Sequence, residues 1–434
     1  MANPVELVGR QVGRYGVIRH LASGGMAELY IARQESVGGF EKSVVLKILQ
    51  PRYAQNPRVV TMFLDEARLA AKLNHPSVVH VYDVAEDEGL KYIAMEFIHG
   101  ETVAEIVTRG LAANKYLPLE HSIHIVSQAA AGLAYAHERR DADGRVVRIV
   151  HRDVSPTNVL VSYEGQTKIV DFGIARAQDE LREESGILPG KASYMSPEQV
   201  RGSGIDHRAD IFALGIILYE LTLCQRLYRG PAEAVMKRIV NDRIQPPTAI
   251  RRDYPPALEQ IVMRALEKRP QDRYQSADEM RADLEEFLDD SGLRSGNRRM
   301  AIYMNDLFSP GAGAEAAAAR RQPDDLDFDR RAPPSMRLEP APDGPATPSR
   351  GVAIRLVPPP PRGAAEAARA AHPAGGVAIV APRAAPDAGP RDGSPEFASS
   401  ETDEAPPSSS RGTWLAIAAF IAVGIGTMVI LTLR

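Results

Sequence analysis

The chain has 434 residues with 44 % apolar and 25 % charged side chains, a globular average that allows one large domain or two ordinary ones. Its formal net charge is −4, which gives no indication of nucleic acid as a partner. The single cysteine, Cys224, excludes a disulfide framework within the chain, and residues 1–14 lack the apolar core of a secretory signal peptide.

Residues 15–49 have the alternating pattern of strands, in the runs YGVIRHLA, SGGMAELYIARQ and EKSVVLKIL. The small residues of the first turn, SGGM at 23–26, would let a ligand approach the backbone, although an ordinary hairpin turn has the same sequence pattern. Lys47 ends a buried run, and an unpaired buried ammonium is costly. Its candidate partner is Glu66, on a helix that an Asn-Pro cap at 56–57 predicts.

Two longer elements follow. Residues 90–98, LKYIAMEFI, predict a strand, and residues 120–138 predict an amphipathic helix from apolar positions at helical spacing. The helix carries His121, His124 and His137 without a convincing spacing for metal ligands, so we expect them at the surface or satisfied in the core.

The most informative stretch is residues 151–173, HRDVSPTNVLVSYEGQTKIVDFG. Asp153 is followed five positions later by Asn158, and an apolar run then leads to Asp171. A carboxylate beside a hydroxyl nucleophile can orient it and take its proton. An Asn oxygen and a second carboxylate are hard ligands of the kind that magnesium prefers. These are the groups that phosphoryl transfer from ATP requires.

This stretch resembles the catalytic loop and the Asp-Phe-Gly motif of protein kinases, and is closest to the eukaryotic-like serine/threonine kinases of bacteria. The resemblance covers roughly residues 15–287. It implies an α+β, two-lobed fold with a β-rich N-lobe and a helical C-lobe, and ATP bound between the lobes. It also implies that Asp153 is the catalytic base and that Asn158 and Asp171 are the magnesium ligands.

The resemblance assigns further roles in the N-lobe. Lys47 would hold the α- and β-phosphates, and Glu66 would hold Lys47. The backbone of Glu96 and Ile98 would bind the adenine edge, with Met95 behind it. The expected phosphate-covering loop comprises Leu21, Ala22, Ser23, Gly24, Gly25, Met26, Ala27, Glu28 and Leu29.

Three residues of the C-lobe would have structural roles. Glu198, in the sequence MSPE, resembles the end of the kinase activation segment and is expected to pair with Arg273. Asp210 resembles the buried aspartate that braces the catalytic loop. Ser185, in the loop from Ile174 to Lys191, is a candidate regulatory phosphorylation site, because a phosphate there could order the loop on Arg152. The resemblance also implies autophosphorylation.

The sequence departs from the family pattern in its ATP-binding and catalytic parts. Ala22 and Ala27 stand where the outer glycines of the loop are expected, Ser155 where serine/threonine kinases usually carry lysine, and Lys191 where they usually carry threonine. Lys191 could replace the missing lysine by reaching the γ-phosphate from the other side, so it is counted among the catalytic candidates. The competing hypothesis is a pseudokinase that binds ATP and acts as a signalling scaffold.

Residues 288–412 are rich in Ala, Pro, Gly, Arg and Asp, which predicts a largely disordered linker. Residues 413–433 predict one transmembrane helix, because the uncharged run at 414–433 spans roughly 30 Å as a helix. Ala418, Ala422 and Gly426 would share one helix face and allow two such helices to pair.

The sequence thus predicts an ATP- and Mg²⁺-dependent serine/threonine kinase on the cytoplasmic side of the inner membrane. Its expected partners are protein substrates, ATP and membrane lipid around the C-terminal helix, with a homodimer as a further possibility. No nucleic-acid partner is expected.

Overall fold

The structure is a computed structural model that describes residues 7–36, 39–140, 143–172 and 191–309, together with the backbone of two strands between 335 and 357. Its first part is an antiparallel sheet with the strand order β1-β2-β3-β4-β6-β5. The strands are β1 (Gln11–Val12), β2 (Tyr15–Ser23), β3 (Ala27–Ser36), β4 (Phe40–Leu49), β5 (Val81–Asp87) and β6 (Leu90–Glu96). The three strands predicted within residues 15–49 are confirmed.

Helices α1 (Pro51–Ala54) and α2 (Pro57–Ala70) follow β4. The predicted cap of α2 is confirmed, since the side chain of Asn56 accepts hydrogen bonds from the backbone N–H groups of Arg58 and Val59. The apolar face of α2 packs on the sheet through Val59 and Phe63, both fully buried. This packing aims the same helix's Glu66 at the sheet.

The second part is mainly helical. A small sheet of β7 (Gly100–Thr102), β8 (Val159–Ser162) and β9 (Thr167–Ile169) lies at its start. The helices are α3 (Val103–Ala113), α4 (Leu119–His137), α5 (Pro197–Arg201), α6 (Arg208–Leu223), α7 (Ala232–Asn241), α8 (Pro247–Ile250), α9 (Pro256–Ala265), α10 (Ala277–Asp290) and α11 (Asn297–Phe308). Two 3₁₀ helices span Lys191–Tyr194 and Pro270–Asp272.

Helix α6 is buried along its whole length and forms the centre of the largest apolar cluster. Helices α4, α9 and α10 pack around it. A helix that is predominantly apolar around its circumference favours this central position, where all its sides are shielded from water. The two parts together form the β-rich N-lobe and helical C-lobe that the resemblance implied.

The folded domain continues beyond the predicted boundary at residue 287. Helix α11 lies in the range assigned to the linker, yet Met300, Met304 and Leu307 on it are fully buried in the C-lobe core. Their spacing of four and three residues places them on one helix face. The start of the linker at 288 is therefore wrong for residues 297–308.

Two more strands, β10 (Ser335–Pro340) and β11 (Val352–Val357), pair antiparallel within the range assigned to the linker. No helix in the described part of the chain combines the length and apolar character that crossing a bilayer requires. The predicted transmembrane segment at 413–433 and the candidate Ser185 lie outside the described residues.

Candidate active site

A three-membered charge cluster lies where the two lobes meet. Lys47, on β4, donates through Nζ to Glu66 Oε1 of α2 at 2.8 Å and to Asp171 Oδ1 at 2.9 Å. Lys47 and Glu66 are only 4 % and 6 % exposed, so the predicted pairing of these two residues is confirmed. The side chain of Asp171 is 28 % exposed, which leaves this end of the cluster open to a ligand.

Burial and attraction act in opposite directions on these groups. Burial alone lowers the pKa of Lys47, but the carboxylates of Asp171 and Glu66 outweigh it and the pKa lies above its usual value. Burial raises the pKa of Glu66 to about 7, against the attraction of Lys47. Lys47 therefore carries its positive charge at neutral pH, as a group that binds phosphate must.

The catalytic loop brings Asp153 and Asn158 together. Asn158 Nδ2 donates to the backbone oxygen of Asp153 at 2.8 Å and to its Oδ2 at 3.1 Å. The backbone N–H of Val170 donates to the carbonyl of Asn158, which joins the loop to the strand before Asp171. The oxygen atoms of Asn158 and Asp171 fit the hard donor set of Mg²⁺, which usually binds one or two such protein groups and completes its shell with phosphate and water.

The backbone around the loop is held in an uncommon conformation. Arg152 and Asp171 have φ of 66° and 63°, in the left-handed region that non-glycine residues rarely occupy. Phe172 is 1 % exposed and packs its ring on His151, whose Nε2 donates to the carbonyl of Val170 at 2.9 Å. The surrounding packing therefore maintains a strained backbone at the candidate site.

The predicted brace by Asp210 is confirmed. Its carboxylate accepts from the backbone N–H of His151 at 2.8 Å, from that of Arg152 at 2.7 Å and from His137 Nε2 at 2.8 Å. Burial alone raises the pKa of Asp210, but these donors, His137 foremost, hold it below its usual value. The charged form of this buried carboxylate thus fixes the start of the catalytic loop.

The predicted pairing of Glu198 with Arg273 is also confirmed. Two guanidinium nitrogens of Arg273 donate to the two carboxylate oxygens at 2.7 and 2.8 Å. The Arg273 side chain is fully buried and also donates to the carbonyls of Glu267, Lys268 and Arg208. This fork links the end of the activation segment to the base of the C-lobe.

The predicted adenine-binding segment begins at the end of β6. Met95 is buried behind it, and Glu96 Oε2 accepts from Lys168 Nζ at 3.0 Å and from the backbone N–H of His80 at 3.2 Å. Lys168 lies on β9, three positions before Asp171. Sequence reasoning missed this link, since no spacing indicates that the two residues meet. The adenine-binding roles of Glu96 and Ile98 remain predictions.

The segment predicted to cover the phosphates contains the turn between β2 and β3, which confirms the position of the turn, and the phosphate contact remains a prediction. Ser23 Oγ donates a hydrogen bond to Glu28 Oε2 at 2.6 Å, and His20 Nε2 lies 2.8 Å from the same oxygen. Gln50, after β4, donates through Nε2 to Glu28 Oε1 at 2.7 Å and to the carbonyl of Gly24 at 3.1 Å. Gln50 is another residue that sequence reasoning missed.

The position where lysine is usual offers no cation. Ser155 is 4 % exposed and its Oγ lies 2.9 Å from Thr157 Oγ1. Lys191 begins the 3₁₀ helix Lys191–Tyr194, and its side chain lies outside the described residues. The compensation of Ser155 by Lys191 stays a prediction.

Residues 15–284 match the family model of the protein kinase domain, so the chain belongs to the protein kinase family. It is 40 % identical over 298 residues to the tyrosine-protein kinase MasK of Myxococcus xanthus, covering 68 % of this chain and 46 % of that protein.

Two relatives carry serine/threonine names. The chain is 37 % identical over 280 residues to the serine/threonine-protein kinase PknB of Mycolicibacterium smegmatis, covering 62 % of this chain and 42 % of PknB. It is 34 % identical over 288 residues to the serine/threonine-protein kinase PrkC of Bacillus subtilis, covering 65 % of this chain and 42 % of PrkC. The chain spans less than half the length of all three relatives.

Proposed function

We propose that this chain transfers the γ-phosphoryl group of ATP to serine and threonine hydroxyls of proteins, including its own, in bacterial signalling. The observation that carries the proposal is the assembled cluster of Lys47, Glu66 and Asp171 beside the Asp153–Asn158 pair. The serine/threonine relatives support the acceptor class.

Each protein group has a defined task in this reaction. ATP with Mg²⁺ supplies the phosphoryl group and part of the charge neutralisation. Asp153 would orient the substrate hydroxyl and take its proton at a carboxylate oxygen as the new oxygen–phosphorus bond forms, while the bond from the γ-phosphorus to the bridging oxygen breaks and ADP leaves with that oxygen. Lys47, held by Glu66, binds the phosphate oxygens. Asn158 and Asp171 provide the oxygen ligands for Mg²⁺.

The competing pseudokinase hypothesis is tested with the 434-residue chain, labelled ATP, magnesium and a generic protein substrate. We expect Asp153→Asn to lower kcat by about 10²- to 10⁴-fold, the usual contribution of a general base. Asp278→Asn, an exposed carboxylate on α10, is the matched control and should retain full transfer. Nucleotide binding without transfer in the unmodified chain would favour the scaffold.

A second acceptor class is tyrosine. MasK, which is 40 % identical to this chain over 298 residues, is named a tyrosine-protein kinase. Phosphoamino-acid analysis of the reaction products decides between the classes. Phosphotyrosine as the main product would replace the serine/threonine proposal.

We also propose that residues 413–433 anchor the chain in the inner membrane with the kinase domain on the cytoplasmic side. The uncharged run at 414–433 supports this, because its length as a helix matches one bilayer core. Removing residues 413–434 should move the chain from the membrane to the soluble fraction of disrupted cells.

Replacing Ala418, Ala422 and Gly426 with leucine tests whether two C-terminal helices pair through the face that these residues share. Unchanged self-association of the chain would exclude this face as a dimer contact.

A further inference from the structure

The segment that follows β4 binds three successive carbonyl groups of the β2–β3 turn. Gln50 Nε2 donates to the carbonyl of Gly24 at 3.1 Å, and Arg52 Nη2 donates to that of Gly25 at 3.2 Å. The backbone N–H of Gln50 donates to the carbonyl of Met26 at 2.9 Å. The turn is thus bound along one side by a segment outside the family's loop pattern.

The direction of these carbonyls fixes the direction of the neighbouring amides. In a trans peptide, the C=O of one residue and the N–H of the next point to opposite sides of the chain. Every peptide bond in the described residues is trans. Because the Gly24 and Gly25 carbonyls point toward Gln50 and Arg52, the N–H groups of Gly25 and Met26 point away from them.

These two amides are available to a ligand. The N–H of Gly24 is used inside the hairpin, where it donates to the carbonyl of Ala27 at 2.8 Å. Within the part of the chain that the structure describes, the N–H groups of Gly25 and Met26 donate no hydrogen bond. Successive backbone amides that point to one side form the kind of concavity that binds phosphate.

The side chains that hold the carbonyls are themselves held. Gln50 Nε2 also donates to Glu28 Oε1 at 2.7 Å, and Gln50 Oε1 accepts from Arg52 Nε at 2.8 Å. The other carboxylate oxygen of Glu28, Oε2, is in hydrogen-bond contact with Ser23 Oγ and His20 Nε2. The network compensates for alanine at positions 22 and 27, since it fixes the backbone direction by side-chain contacts.

We propose that Gln50 and Arg52 are positioning residues that direct the Gly25 and Met26 amides at the polyphosphate of the nucleotide. The inference rests on the proposed ATP-dependent function and adds two residues that act through the turn without touching the reacting atoms. It assigns their effect to the phosphate end of the ligand, leaving the adenine-binding segment unaffected.

The test is calorimetric binding of MgATP, MgADP and adenosine to the full-length chain. Gln50→Met keeps the side-chain length and removes the donor, and Arg52→Ala removes the contact to Gly25. We expect each variant to weaken MgATP and MgADP binding by about three- to tenfold, the effect of one net hydrogen bond, with adenosine binding unchanged. Arg52→Lys, which retains a donor, should recover part of the loss.

Arg58→Ala is the matched control, because Arg58 is an exposed cation on the neighbouring helix α2 and, among the described residues, its side chain forms no hydrogen bond to the turn. Equal weakening by Arg52→Ala and Arg58→Ala would overturn the inference in favour of general charge attraction. Unchanged MgATP affinity in Gln50→Met and Arg52→Ala would overturn it while leaving the proposed function intact. Absence of nucleotide binding by the unmodified chain would overturn both.

Discussion

Two buried charge clusters in this protein differ in whether protein partners alone satisfy their charges or one member remains exposed to solvent. In the C-lobe, Arg273 and Glu198 are saturated by protein partners, and the Arg273 side chain has no exposed surface. At the lobe junction, Lys47 binds Glu66 on one side, but its other partner, Asp171, is 28 % exposed. A buried charge that is fully paired within the protein serves the fold, whereas a cluster with one open end is available for chemistry.

The largest expected effect tests the closed cluster. Arg273→Met leaves the Glu198 carboxylate buried without its partner, and breaking such a pair costs about 3–5 kcal/mol. We expect this loss in the free energy of unfolding, measured by urea denaturation. The control is Lys237→Ala, which breaks an exposed pair with Glu233 on α7 and should leave the free energy of unfolding nearly unchanged, because solvent screens exposed charges. Equal costs for the two variants would contradict the assignment of a structural role to the buried fork.

The next effect tests how α11 closes the C-lobe. Gly165 has φ of 84°, and a Cβ built on it would lie 1.9 Å from the carbonyl oxygen of Asn297. Gly165→Ala must therefore displace α11 and expose Met300 and Met304. Gly89 is the matched control, because its φ is 81° and nothing lies within 4 Å of its Cβ position.

Both alanines suffer the same left-handed backbone strain of about 1–2 kcal/mol. We expect Gly165→Ala to lose roughly 2 kcal/mol more than Gly89→Ala, since two methionine side chains lose part of their burial. Limited proteolysis should cut the Gly165→Ala variant near residues 291–297. Equal stability of the two variants would show that α11 does not depend on this close approach.

The open cluster is tested by Lys47→Met. A charge-assisted contact to phosphate is worth about 1.5–3 kcal/mol, so kcat/KM for ATP should fall roughly 10- to 150-fold. The loss of stability should be small, because the raised pKa of Glu66 lets this carboxyl become neutral near pH 7. A large drop in the unfolding free energy without a change in kcat/KM would place Lys47 with the structural charges.

These contrasts also explain how far the sequence could lead. Lys47, Asp153, Asn158 and Asp171 follow from spacing within short motifs, and the pairings of Glu66 and Arg273 follow from the resemblance. Helix α11 was missed because its paired arginines and the Ala/Pro-rich run that follows outweighed three apolar residues at helical spacing. That helix is stabilised mainly by tertiary packing, which local composition does not report.

Contacts that depend on distant segments were equally hidden. Gln50 and Gly24 are 26 positions apart, and neither belongs to a pattern that predicts their meeting. Lys168 and Glu96 are 72 positions apart and meet only because the fold brings β9 close to the end of β6. The motif residues could be predicted because their chemistry is local, whereas the residues that orient them come together only in the folded chain.

The smallest expected effect concerns pH and the contact between α4 and α11. His121 is 6 % exposed, its Nδ1 lies 2.7 Å from Ser295 Oγ, and its ring packs on Tyr303. Burial, reinforced by His124 and Arg299, lowers the pKa of His121 to about 4. The unfolded chain binds this proton near pH 6.5 and the folded chain resists it, so stability falls as the pH drops from about 6.5 toward 4.

Between pH 7.5 and pH 5 this single group should cost about 2 kcal/mol of unfolding free energy, since 1.5 pKa units of the shift are then expressed. The glutamine in His121→Gln cannot take up the proton and can still form a hydrogen bond with Ser295. Between pH 7.5 and pH 5, this variant should therefore lose about 2 kcal/mol less unfolding free energy than the unmodified chain. The exposed His99 provides the control, and His99→Gln should reproduce the pH dependence of the unmodified chain. Parallel pH profiles for His121→Gln and the unmodified chain would show that another group near α11 controls its acid sensitivity.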